Sequence, residues 1–122
     1  MIQLDYKVFP SEDKTISVED DLYDGAHYYS AKKSLGFEDG KAIYIEDEAI
    51  LPFVFKDGDL TVAGLQSEQL AYILLDRCIK LNAKFPSEHN VKMIAGLDIF
   101  LEACQDRVKE RISRGVMGKL KK

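Results

Sequence analysis

The 122-residue sequence has no tryptophan, only two cysteines and two histidines, and three prolines. Two cysteines cannot build a disulfide framework, so a disulfide-stapled class is excluded and a reducing cytoplasm fits. A chain of this length can bury a core without such staples. With 46% hydrophobic residues it is neither disordered nor collagen-like. No apolar run approaches the roughly 20 residues that cross a bilayer. The opening Met1-Ile2-Gln3-Leu4-Asp5 has no basic or apolar leader region, so no secretory signal is expected. His27 and His89 form no His-x-x-x-His pair, and no Walker, GxGxxG or GxSxG motif occurs. Metal, cofactor and catalytic residues are accordingly not assigned. A surplus of basic charge is also lacking, since the net charge is −4. Taken whole, that number disfavours an anionic ligand.

Divided along the chain, the charge reads differently. Residues 1–50 carry −7, residues 51–106 carry −3, and residues 107–122 carry +6. Such asymmetry marks an anion-binding end or, for Lys119 to Lys122, a solvated tail.

The periodicity predicts an α+β fold, with a small N-terminal antiparallel β-sheet followed by a C-terminal antiparallel two-helix hairpin. The chain is read as one domain, with a β-rich part over 1–65, the hairpin over 66–116 and a basic tail over 117–122. Alternation in Met1 to Phe9 predicts a strand ended by Pro10, and polar Ser11 to Asp21 reads as a loop or an edge. A second strand runs from His27 toward Gly36, an Asp39-Gly40 turn leads into Lys41 to Ile45, and Ile50 to Lys56 is a third run. Asp57-Gly58 turns into Leu60 to Ala63, giving one sheet of four or five strands. Asp20-Asp21, Asp39 and Glu46-Asp47-Glu48 are assigned to turns and solvated edges.

Ser67 is the expected N-cap of a first helix with Leu70, Ile73, Leu74, Cys78 and Leu81 inward. Pro86 breaks the pattern, and Ser87 caps a second helix with Val91, Ile94, Leu97, Leu101, Cys104 and Val108 inward. Gly115 supplies the stop. Both cysteines are thus expected in the hairpin core. Level packing about Pro86 sets Ser67 beside Gln105 and leaves residues 106–114 overhanging.

Arg107, Arg111 and Arg114 are spaced by four and three and share one face of that overhang. They suit bidentate phosphate recognition, or else salt bridges to the acidic first half of another subunit. At the turn, Phe85 either caps the hairpin or stacks on a base. Asn90 is either a capping partner or an amide aimed at a ligand beside free helix N–H groups. His89 and Met93 lie on one side within a turn. Aromatic, amide and arginine together form a nucleotide-binding vocabulary.

The stretch Phe85-Pro-Ser-Glu-His-Asn-Val-Lys-Met-Ile-Ala-Gly-Leu-Asp-Ile-Phe-Leu-Glu-Ala, followed by Arg107-x-x-x-Arg111-x-x-Arg114-Gly-Val-Met-Gly, resembles the helical-hairpin domain shared by phage anti-Thoeris and anti-CBASS proteins. Upstream, Gly25-Ala-His-Tyr, Ser34-Leu-Gly-Phe-x-Asp-Gly-Lys41 and Gly64-Leu-Gln-Ser-Glu-Gln-Leu70 are similar to the sheet-bearing half of the first-described Thoeris anti-defence family. The resemblance implies a non-catalytic sponge that sequesters cyclic ADP-ribose isomers in the cytoplasm of the infected bacterium. Some members also take up cyclic oligonucleotides of the CBASS system. It further implies homo-oligomers built from dimers, a hexamer among them, with pockets at subunit contacts and neither membrane nor nucleic acid as partner. By that resemblance Phe85 and Asn90 meet the ligand, Arg107 and Arg111 neutralise phosphates, and His27 is a further candidate; Arg114 and Met93 are added as contacts from their helical positions alone. The alternative is a nucleic-acid-binding or structural phage protein that uses its basic C-terminal helix.

Overall fold

Six strands precede two helices in the computed structural model, which describes residues 2–7, 14–19 and 26–115. The chain divides into two compact units, Met1–Leu65 and Gln66–Lys122. The fold class is the expected α+β, with an antiparallel four-stranded sheet ahead of the helices.

The sheet unit holds β1 (Ile2–Gln3), β2 (Ile16–Val18), β3 (Tyr28–Glu38) and β4 (Lys41–Pro52) in spatial order β1-β2-β3-β4. Its strands are distributed otherwise than the periodicity predicts. The first strand ends at Gln3, and Asp5 to Lys7 leave the sheet although the alternation continues. The polar stretch read as a loop contains β2, which sits between β1 and β3 and buries Val18, with Thr15 buried just ahead of it. Glu46-Asp47-Glu48 lies inside β4 rather than at a turn. Because β4 is an edge strand, its acids keep access to water. Pro52 is its last residue, a position where a missing N–H does least harm. Phe55 starts a separate two-stranded sheet of β5 (Phe55–Asp57) and β6 (Leu60–Val62), so there are two sheets, not one.

The hairpin turns fall where expected. Glu38 pairs with Lys41 across Asp39 and Gly40, whose φ angles are 54° and 79°. Two consecutive positive φ values define the tight turn that matches strand twist, and Asp-Gly tolerates them best. The expectations for Val8 to Asp13, Asp20, Asp21 and the tail 117–122 lie outside the described residues.

The helical unit is α1 (Ser67–Lys84) and α2 (Glu88–Ser113). The first helix is capped one residue earlier than expected. Gln66 is the N-cap, and its backbone N–H donates to Gln69 Oε1 (2.8 Å). Ser67 is therefore already helical. At the far end Phe85, held out of the helical region by the following proline, donates its N–H to Leu81 O (2.7 Å). Ser87 caps α2 as expected, its hydroxyl accepting the Asn90 N–H (3.0 Å). Gly115, with φ of 67°, closes the end by donating to Ile112 O (3.0 Å).

The helical core is narrower than the predicted stripes. Ala71 and Leu101 are buried, while Cys78, Cys104, Ile94, Leu97 and Val108 are half-buried. Ile73, Leu74, Leu81 and Val91, expected inside, are exposed. Two helices share a single line of contact, so each hides a strip narrower than the face its sequence makes apolar. No helix among the described residues is long and apolar enough to cross a membrane.

Candidate functional site

The second helix sets most of the candidate residues at its two ends. At the N-terminal end, Asn82 Oδ1 accepts the Ser87 N–H (3.2 Å), which fixes the inter-helix turn. Asn90 Nδ2 donates to Phe85 O (2.9 Å), so this amide braces the turn. Of the two roles open to Asn90, the capping one is occupied by its N–H and side chain together. Phe85 does not cap the hairpin core. Its ring is 62% exposed and carries the Lys84 ammonium 5.5 Å from its centroid. The cation covers part of one face, and the exposure of the residue leaves the ring accessible for stacking. Met93, 47% exposed, and exposed His89 stand one turn along.

Because Ser87 holds one of the first free N–H groups of α2, its loss has a defined cost. We expect Ser87→Ala to destabilise the helical unit by about 1 kcal/mol in urea denaturation. Ser87→Asp should recover most of that, since a carboxylate also caps.

At the other end, Arg107, Glu110, Arg111 and Arg114 line a hollow of about 370 Å³. The three arginines thus share a face, as their spacing predicts. Arg107 and Arg114 are exposed and Arg111 is half-buried. Glu110 pairs with Arg114 within the helix (Oε1 to Nε, 3.2 Å), so the described lining of the hollow carries three positive charges and one negative. Its chemistry suits an anion with more than one oxygen to offer. Glu110 was not singled out from sequence, although its spacing of three from Arg107 and four from Arg114 places it there.

A second hollow of about 310 Å³ lies where α1 and α2 meet, bordered by Glu68, Tyr72, Leu101, Cys104, Val108 and Lys109, among others. Gln105 Nε2 reaches Tyr72 Oη at 3.4 Å across it. The arginine hollow has no lining from α1 among the described residues. The helices are offset from the expected register, since Gln105 lies against Tyr72 rather than Ser67 and Glu68 borders the second hollow with Val108 and Lys109, so α2 outruns α1 by less than the expected residues 106–114.

His27 belongs to the sheet unit. Its ring stacks on Phe55 at 4.0 Å with an interplanar angle of 1°, and its N–H donates to Glu19 Oε1 (3.0 Å), which also accepts the Tyr28 N–H (3.2 Å). These contacts tie the start of β3 to β5. The remaining candidates, Phe85, Asn90, Met93, Arg107, Arg111 and Arg114, are all in the helical unit.

Asn90 and Arg107 are separated by 17 helical residues, about 25 Å along the axis at 1.5 Å each. A small ligand held by both ends of α2 must therefore draw them from two chains. Compared with protein-family models and with curated proteins, the sequence matches none.

Proposed function

We propose that the protein is a non-catalytic sponge for cyclic ADP-ribose isomers, glycocyclic ADP-ribose foremost. It would act in the cytoplasm of an infected bacterium, where sequestering that signal blocks Thoeris defence. The supporting observation is the convergence of Arg107, Arg111 and Arg114 on one hollow toward the C-terminal end of α2. A pyrophosphate offers several anionic oxygens to such a set, and arginine's planar fork meets them in pairs. Exposed Phe85 supplies a stacking face for adenine at the other end of the helix. Since one chain holds these groups far apart, the reading requires homo-oligomers built from dimers. Cyclic oligonucleotides are a second ligand class with the same two chemical handles.

Sequestration and turnover differ in what is released. Protein incubated with glycocyclic ADP-ribose and then heat-denatured should return the ligand unmodified, as judged by mass spectrometry. Recovery of a cleaved product would make the protein an enzyme. Absence of binding to every cyclic ADP-ribose isomer and cyclic oligonucleotide would end the sponge reading. Binding to DNA that weakens steeply with salt would then favour the nucleic-acid alternative.

A further inference from the structure

Glu110 is the acidic member of the described lining of the arginine hollow. Its Oε1 lies 3.2 Å from Arg114 Nε, and the two side chains are 62% and 46% exposed. An ion pair so open to water, four residues apart on one helix, contributes little to folding. The helix end gains nothing from an acid either. Carbonyls without helical partners make the last turn of α2 partly negative, a setting that favours basic side chains and disfavours carboxylates. Stability therefore does not account for a carboxylate at this position, whereas the ligand chemistry of the hollow does.

We propose that Glu110 is the specificity-determining residue of the hollow, admitting phosphates esterified on both sides and turning away terminal ones. The proposal rests on the reading of the hollow as a phosphate site. A phosphate within a cyclic ester or an internal pyrophosphate carries one negative charge. A terminal phosphate ionises a second time near about pH 6 and carries close to two at neutral pH. Three guanidinium groups alone would favour whichever ligand has more charge, and a nucleoside triphosphate brings about four. Such a ligand also has a base and several phosphates, so it is the natural competitor for this site.

Glu110 changes the order of preference in two ways. Its carboxylate already engages Arg114 at Nε, which leaves that fork less available to a further phosphate. It also repels every negative charge that enters the hollow. At about 6 Å in water, one fixed charge shifts an equilibrium roughly threefold for each charge on the ligand. A triphosphate carries about two more charges than a cyclic ester of two phosphates, so it loses about tenfold more. Discrimination of this kind comes from an unfavourable contact with the wrong ligand.

The test is titration calorimetry of the full chain at low salt, with glycocyclic ADP-ribose and, separately, with ATP free of magnesium. We expect the wild type to prefer the cyclic ligand. Glu110→Gln should narrow that preference about tenfold, with the larger gain in affinity falling to ATP. Glu110→Asp keeps the charge and should keep the wild-type preference. In about 1 M salt, where screening acts within about 3 Å, wild type and Glu110→Gln should bind ATP nearly alike. A Glu110→Gln protein that binds ATP no more tightly than the wild type overturns the inference. So does a Glu110→Asp protein that behaves like Glu110→Gln, or a wild type that binds ATP as tightly as the cyclic ligand. A wild type that binds no cyclic ligand ends the sponge reading instead, and the ATP comparison between wild type and Glu110→Gln then decides the role of Glu110 by itself.

Discussion

Replacing Leu101 by alanine should cost the helical unit about 2–5 kcal/mol, seen as a lower urea midpoint in far-UV circular dichroism. Leu101 is 4% exposed, and with Ala71 it is what the hairpin buries outright. Removing its isobutyl group forfeits the transfer free energy and leaves a gap beside the existing hollow of Tyr72, Cys104 and Val108. Around a core this thin there are few neighbours to move in. Ile73→Ala is the matched control. Ile73 is of the same class and was expected inside, but it is exposed, so its loss should stay within about 0.5 kcal/mol. Equal midpoints for the two variants would mean that the buried line of α2 is not where the hairpin draws its stability.

Replacing Arg107 and Arg111 together by alanine should weaken binding of glycocyclic ADP-ribose by at least about a hundredfold in titration calorimetry. Each hydrogen bond to a charged group contributes about 1.5–3 kcal/mol, and two such losses combine. Arg107→Lys separates charge from shape. It keeps the cation but not the planar fork, so affinity should fall well short of the wild type. Lys41→Ala with Lys56→Ala removes as much charge, and neither residue is among those lining the hollow. If that variant loses as much as the arginine pair, binding follows gross charge and the hollow has no special part. If neither variant loses affinity, the arginines do not hold the phosphates.

Features set by neighbours in sequence were legible before the structure. The Asp39-Gly40 turn, the stop at Pro86, the Ser87 cap and the Gly115 terminus depend on a few consecutive residues and elementary backbone sterics. Those set by distant partners were not. β2 has only Ile16 and Val18 as apolar residues, and it is a strand because β1 and β3 flank it. Glu46-Asp47-Glu48 looks like a turn until β4 is known to be an edge. In the candidate site, the common face of the arginines followed from spacing alone. The engagement of Asn90 Nδ2 by Phe85 O did not, since spacing permits it without requiring it.

The edge strand β4 has one more consequence. Twelve residues long, it has no neighbouring strand on one side among the described residues, the arrangement that lets sheets grow by adding chains. Its middle is occupied by three consecutive acids. Lys33 Nζ lies 2.7 Å from Asp47 Oδ2, and that hydrogen bond and charge hold the Asp47 carboxyl below its ordinary range. A second β4 approaching in an antiparallel manner would bring acid against acid. The same residues that disguised the strand in the sequence therefore oppose its pairing with a second copy of itself.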